Sequence, residues 1–301
     1  MKLTILGCHS ATPRWDANPT AQVLEVKGHL FLIDCAEGTQ VQLRRRKVKF
    51  ARIKHIFISH LHGDHFFGLV GLISTFRLLG RASDLHIYGP QGIKEAILMQ
   101  LKLGNSYTNY KLFFHELDSK QPQVLFEDDI LSVTTIPLKH RVYTNGFLFQ
   151  EKVGDRILDI DKAKEFDVEM SYFQKIKQGF DVPDTKGNMV ANASITIDPS
   201  TPKSYAYCSD TCYHEAIVPQ IKKATLLYHE ATFLEQHAAL SSKTMHSTAK
   251  QAASIAKLAG VGTLVLGHYS GRYSDYEAFK NEAQEIFSQT QLAQDGKVFD
   301  I

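Results

Sequence analysis

Cysteine is scarce in this chain: Cys8, Cys35, Cys208 and Cys212 are too few and too scattered among 301 residues for a disulfide framework. That scarcity points to a reducing compartment. Charge of one sign is also lacking. With 34 basic and 32 acidic side chains the formal net charge is +2, so any surface meant for a polyanion has to be local. No apolar run approaches the length that crosses a bilayer, and there is no fixed-period repeat or low-complexity tract. The opening residues Met1 to Cys8 offer only Leu3 to Leu6 as an apolar stretch before polar His9 and Ser10. That is too short for the core of a signal peptide, so the segment reads as a β-strand. The expectation is a soluble, cytoplasmic protein, and 44% apolar residues suffice for a substantial core.

Short apolar runs alternate with helical periodicity along the whole length. Strands are expected over 3–6, 22–26, 30–34, 56–59, 85–88, 112–116, 124–126, 131–137, 193–197, 205–208, 225–229 and 263–266. Helices are expected over 38–47, 67–79, about 90–103, 213–223, 247–258 and 276–288. This alternation is an α/β pattern. Residues 151–192, rich in Lys, Asp, Glu and Gly, are too long for an ordinary connection. The reading is a single domain, 1–301, with an inserted arm there.

The densest chemistry follows the strand at 56–59. His60-Leu61-His62-Gly63-Asp64-His65 places three imidazoles and a carboxylate within six residues, donors that suit Zn²⁺. Gly63 is expected to free the backbone for a tight turn, and Phe66-Phe67 to anchor the loop. Four such donors exceed what one tetrahedral ion with an open position uses once distant ligands are added. Further candidates sit just beyond other apolar runs: His140, Asp210 and His268. A solvated, inert histidine-rich loop is the bland alternative, and the adjoining strand weighs against it.

The order His60-x-His62-x-Asp64-His65, His140, Asp210, His268 resembles the metallo-β-lactamase superfamily. The resemblance implies an αβ/βα four-layer sandwich, with two sheets face to face and helices outside. It also implies two Zn²⁺ ions per chain: one on His60, His62 and His140, the other on Asp64, His65 and His268, with Asp210 bridging. Further strings narrow the likeness. They are Asp34-Cys35-Ala36-Glu37-Gly38-Thr39-Gln40, Ile87-Tyr88-Gly89-Pro90, His229-Glu230-Ala231-Thr232, His246-Ser247-Thr248 and His268-x-Ser270-x-Arg272-Tyr273. Together they are similar to the ribonuclease Z (tRNase Z) family.

By that resemblance the chain is a metal-dependent endoribonuclease that removes 3′ trailers from precursor tRNA, and a homodimer. Asp64 would be the general base and His246 the general acid, with Glu230 orienting it; Ser270 and Arg272 would hold phosphate. Mn²⁺ or Fe²⁺ suit the same donors as zinc. Three departures stand out: Ala36 and Ser209 replace glycines of the family pattern, and the arm lacks the family's Gly/Pro-rich tip although Lys175-Ile176-Lys177-Gln178-Gly179 is present. Cys208 and Cys212 read as inert thiols, and Arg44-Arg45-Arg46-Lys47 as either an RNA contact or a solvated helix face. The alternative functions are a hydrolase of small phosphodiesters or other esters on the same centre, and a zinc-stabilised RNA-binding protein without catalysis.

Overall fold

Strands whose two faces are both buried dominate the first half of the chain. In His29–Ile33, Leu30 and Leu32 pack among apolar side chains of the helices Leu69–Leu78 and Ile93–Leu103, as do Ile56, Ile58, Leu85 and Ile87 of the strands beside it. Their neighbours point the other way, as period-two alternation demands. The rings of Phe31 and Phe57 lie 5.4 and 5.5 Å from that of Phe149 on the strand Asn145–Glu151, which belongs to a second sheet. The computed structural model describes all 301 residues. It contains two seven-stranded sheets joined face to face by such aromatic contacts.

The first sheet runs, edge to edge, Val298–Asp300, Lys2–Gly7, Ala21–Val26, His29–Ile33, His55–Phe57, Leu85–Pro90 and Leu112–Leu117. The second runs Thr290–Leu292, Thr263–Gly267, Leu226–Glu230, Ser204–Cys208, Asn145–Glu151, Leu131–Pro137 and Val124–Glu127. The parallel strands of the second sheet carry Tyr205, Tyr207 and Tyr228, all fully buried. The helix Ala249–Ala259 presents a small-residue face, Ala252, Ala253 and Ala256, to the interior. It starts at a Thr248/Gln251 capping box and stops at Gly260 in the left-handed region, φ 61°. No helix is long and apolar enough to cross a membrane.

The chain divides into two compact units. One comprises Met1–Glu127, Ser132–Phe149 and Lys203–Ile301, and the other Asp128–Leu131 with Gln150–Pro202. The second unit has its own small core of Val168, Ile176, Val182, Val190 and Ile195, and two short antiparallel pairings, Ile157–Leu158 with Thr196–Ile197 and Val182–Pro183 with Met189–Val190.

Several elements differ from expectation. The helix expected over 213–223 is a 3₁₀ turn, Glu215–Ile217, followed by turns, because Pro219 removes a donor and clashes with the preceding turn. The strand expected over 193–197 is mostly the helical turn Asn192–Ile195; the Asn192 amide group donates to the Ile176 and Phe180 carbonyls and holds the chain out of a sheet. The helix Ala238–Thr244 and the three-residue edge strands Thr290–Leu292 and Val298–Asp300 carry too little periodicity to be read from sequence. Of the phenylalanine pair, only Phe66 enters the core; Phe67 is 56% exposed.

Glycine acts at the metal loop through space more than through dihedral freedom. Gly63 has no positive φ; it opens the short helix Gly63–Phe66, and a Cβ there would lie 2.3 Å from the Phe67 ring. Gly68 is tighter still, since its Cβ would sit 1.9 Å from the Ala36 carbonyl oxygen, in a segment where His65 O accepts from Cys35 N and Cys35 O accepts from Gly68 N. Backbone meets backbone at that point, so neither side yields cheaply. The substitution Gly68→Ala is expected to lower stability by about 2 kcal/mol or more, read as a reduced midpoint in urea denaturation with an unchanged slope.

Candidate metal centre

The two imidazole sets, whose members the sequence separates by as many as 208 positions (His60 to His268), share one end of the paired sheets, just past the carboxyl ends of their strands. His60, His62, His140 and Asp210 bring ligand-type atoms within 4.8 Å of one another, and so do Asp64, His65 and His268. Asp210 stands between the sets. Its Oδ2 lies 3.4 Å from His60 Nε2 and 3.7 Å from His140 Nε2, while its Oδ1 lies 3.2 Å from His65 Nε2 and 3.0 Å from His268 Nε2. Asp64 Oδ2 is 3.5 Å from both His65 Nε2 and His268 Nε2.

Four of the five imidazoles are aimed by a hydrogen bond on the far nitrogen. His65 Nδ1 donates to Asp34 at 2.7 Å, His140 Nδ1 to the Met245 carbonyl at 2.9 Å and His268 Nδ1 to the Thr232 hydroxyl at 2.9 Å; His60 Nδ1 pairs with Ser59 Oγ at 3.0 Å. The other nitrogen of each ring then faces inward, the arrangement that fixes tautomer and orientation in metal-ligating histidines. His140 Nε2 is buried with no hydrogen-bond partner at all. His60 Nε2 and His62 Nδ1 face each other at 2.9 Å. Lone pairs so placed fit a cation and little else.

Electrostatics agree with that fit. Burial, followed by mutual repulsion among the rings, pushes His60 below its ordinary range and His62 down to about 4, the neutral state a ligand needs. His65 differs: burial disfavours its charge, but Asp210, Asp34 and Asp64 outweigh it and hold this imidazole well above its usual range, so a cation bound there would take the place of a proton. Asp210 is itself buried, yet His268, His65 and His60 keep it ionised, well below the carboxylate range. Asp34, Asp64, Asp210 and Glu230 are all buried. Four carboxyl groups in one dry region call for cationic compensation, and divalent ions supply it on donors of this type. His60, His62 and His140 with Asp210 would hold one, and Asp64, His65 and His268 with Asp210 the other.

Beside these sets stands an acid–base pair. Glu230, the last residue of its strand and fully buried, accepts from the backbone of Thr211 and Thr232, each at 3.0 Å, and from His246 Nδ1 at 2.7 Å. Burial alone would lower His246, but the Glu230 charge and hydrogen bond prevail and raise it to about 9. Neither residue serves as a helix cap; Thr248 does that. A cleft of about 400 Å³ is lined by His62, Asp64, Asp210, His246, His268 and Ser270, with Arg141 and the Ser10–Thr12 backbone turn at its wall. Arg272 lies outside that lining, with its guanidinium 5.8 Å from the centre of the Phe233 ring, which is part of the wall. Cys208 is buried and its thiol is pushed up by burial; Cys212, half-buried, is raised for the same reason, as inert thiols are.

Sequence reasoning left three contributors without a role. Arg141 follows His140 directly and offers the cleft a cation. Thr232 donates to Glu230 Oε2 at 2.7 Å while accepting from His268, so it couples the acid–base pair to the ligand set. Asp34 collects Ser59 N at 2.7 Å, Ser59 Oγ at 2.9 Å, Tyr207 Oη at 2.5 Å and His65 Nδ1 at 2.7 Å. The Asp34-Cys35 string was the available signal, since it ends a strand as the ligands do. Asp34, Asp210 and His268 also share positive φ, 54°, 59° and 61°, at about 1–3 kcal/mol each. The strained residue beside Ser209 is thus Asp210 itself, and a serine at 209 meets no such constraint. Replacing Asp34 with Ala is expected to weaken metal retention about 10–100-fold, measured by competition with a chelator.

Comparison with known proteins agrees with this geometry. The family model described as Anti-Pycsar protein Apyc1 matches residues 1–293. Ribonuclease Z of Bacteroides thetaiotaomicron is 47% identical over 294 residues, covering 98% of this chain and 93% of that protein. Ribonuclease Z of Cytophaga hutchinsonii is 45% identical over 299 residues, covering 99% and 95%. Among solved structures, the short form of human tRNase Z superposes with a TM-score of 0.73 at 29% identity, covering 100% of this chain and 99% of that one. The metallo-β-lactamase-fold protein YhfI of Bacillus subtilis, at 19% identity, superposes with a TM-score of 0.70 and speaks for the fold alone. The chain falls within the family that the Apyc1 model describes and, by its relatives and the fold they share, belongs to the ribonuclease Z family of metal-dependent endoribonucleases with the metallo-β-lactamase αβ/βα fold.

Proposed function

We propose that this enzyme hydrolyses precursor tRNA on the 3′ side of the discriminator base, releasing the trailer and leaving a 3′-hydroxyl. The observation that carries the reading is the Glu230–His246 pair facing the same cleft as both ligand sets. A pair of divalent ions, Zn²⁺ by preference and Mn²⁺ or Fe²⁺ on the same donors, supplies Lewis-acid charge and a lowered pKa for water at the centre. The side chains do the rest. Asp64, 8% exposed and ionised because His65 and His268 outweigh its burial, accepts the proton of the attacking water. The phosphorus–O3′ bond breaks as the new phosphorus–oxygen bond forms, and His246, kept protonated by Glu230, delivers a proton to the departing 3′ oxygen. Thr232 holds His268 and Glu230 in register through both transfers. Ser270 and Arg141 at the cleft, with Arg272 beyond Phe233, position the phosphate.

The whole chain is read as one domain that carries an arm from the unit Gln150–Pro202. In that arm Ile176 is buried while Lys175 and Lys177 are exposed, a pattern that suits contact with an RNA backbone. A cytoplasmic location and a homodimer complete the proposal. Leu78 and Leu103 are 83% and 81% exposed, and Leu98 and Met99 42% and 53%, on the helices Leu69–Leu78 and Ile93–Leu103, an apolar surface that a second copy would cover.

Incubation with a precursor tRNA and sequencing of the new 3′ ends is expected to show one cut after the discriminator base. Cleavage of bis(p-nitrophenyl) phosphate with no cut in tRNA would replace the reading with a small-phosphodiester hydrolase. In the same assay His246→Ala is expected to lose about 10²–10⁴ in kcat with metal content preserved. Glu230→Gln is expected to lose activity in the same direction. Unchanged turnover in both would remove His246 from the mechanism.

A further inference from the structure

Directly after the first strand, Lys2–Gly7, begins a second group of metal-type donors, which the proposed reaction does not use. Cys8, His9 and Asp295 bring ligand-type atoms within 4.8 Å of one another. Cys8 is fully buried and His9 is 8% exposed. The two follow the first strand, Lys2–Gly7, while Asp295 lies between the last two strands, Thr290–Leu292 and Val298–Asp300.

Three observations bear on what the group holds. His9 Nδ1 is buried without any hydrogen-bond partner, while Nε2 of the same ring meets Tyr276 Oη at 3.0 Å. Asp295 Oδ2 is saturated by Asn18, from the backbone N–H at 2.8 Å and from Nδ2 at 2.7 Å, whereas Oδ1 has only the weak Cys8 thiol donor at 3.6 Å. A sulfur at about 2.3 Å and an oxygen at about 2.0 Å from one tetrahedral zinc lie about 3.5 Å apart, so the observed thiol–carboxylate separation is also that of two ligands of a single ion. The group borders a cavity of about 590 Å³, lined among others by His9, Gln42, Arg46 and Asp295, where Gln42 Oε1 is a further buried acceptor without a partner. A fourth ligand position can open to that cavity.

We propose that Cys8, His9 and Asp295 form a separate site for one thiophilic divalent cation, zinc by donor chemistry, distinct from the His/Asp centre. The ion takes the place of the thiol proton, which leaves to solvent. The role is structural: the ion pins the segment before the last strand to the loop whose next residues, Ser10 to Thr12, wall the catalytic cleft. Cys8 also passes its carbonyl to the His268 backbone N–H at 2.7 Å, so the same segment supports a ligand of the catalytic set.

Cobalt distinguishes the sites, because the His/Asp centre contains no sulfur. The full-length chain, stripped with a chelator, kept reduced and reloaded with Co²⁺, is expected to show a thiolate-to-cobalt charge-transfer band in the near ultraviolet. That band should vanish in Cys8→Ser and in Asp295→Asn, with metal content falling by one ion per chain and the visible bands of the His/Asp centre retained. Absence of the band in the unsubstituted protein, or its persistence in Cys8→Ser, would overturn the site and leave a thiol–carboxylate hydrogen bond in its place. Neither result depends on cleavage activity.

Discussion

Everything at the centre depends on one buried carboxylate with its two oxygens turned in opposite directions. Asp210 lies at the end of a strand, 2% exposed, with Oδ2 toward His60 and His140 and Oδ1 toward His65 and His268. An isolated carboxylate there would cost several kcal/mol to bury. It is tolerated because the imidazoles converge on it and because the donor set as a whole is built for cations. The strain at Asp34, Asp210 and His268 follows from the same requirement. Three strand ends must each turn a side chain inward within one residue, and the left-handed conformation does this, with Asp and His among the residues that tolerate it best.

Rigidity of the centre comes from the sheets behind it. Asp34 ties His65 to Ser59 and to Tyr207 of the opposite sheet, so one carboxylate links the metal loop to both halves of the sandwich. On the second sheet, Thr232 and Glu230 join His268 to His246 through three short hydrogen bonds. Such partners set ligand orientation and basicity as much as the ligands themselves. Close backbone packing at Gly68 and Ala36 then fixes the distance between the metal loop and the strand end carrying Asp34.

The metal loop was legible from sequence because its donors are dense and local: His60, His62, Asp64 and His65 lie within six positions after an apolar strand. His140, Asp210 and His268 were legible by a weaker rule, that a polar side chain just past an apolar run stands at a sheet edge, and the structure gathers all three. Most strands and the long helices followed from period-two and 3.6-residue patterns. Elements of three or four residues did not, since a period needs at least two repeats to be seen. Pro219 broke a helix that the apolar spacing favoured, and Asn192 turned an apparent strand into a helical turn through bonds to distant carbonyls.

Sequence by itself determined the ligand types, their order, the alternation that buries both faces of the strands, and the family to which they point. Which donors come within ligand distance of one another, and which unremarkable residues aim them, was decided only by the tertiary structure. Asp34 shows only a strand-end position and Thr232 and Arg141 not even that, because their roles exist only relative to side chains tens or hundreds of positions away. Cys8, His9 and Asp295 make the same point, with 286 positions between His9 and Asp295 in sequence and 4.8 Å or less between their ligand atoms in space. Chain order fixes which groups are available, and the packing of two sheets fixes which of them meet.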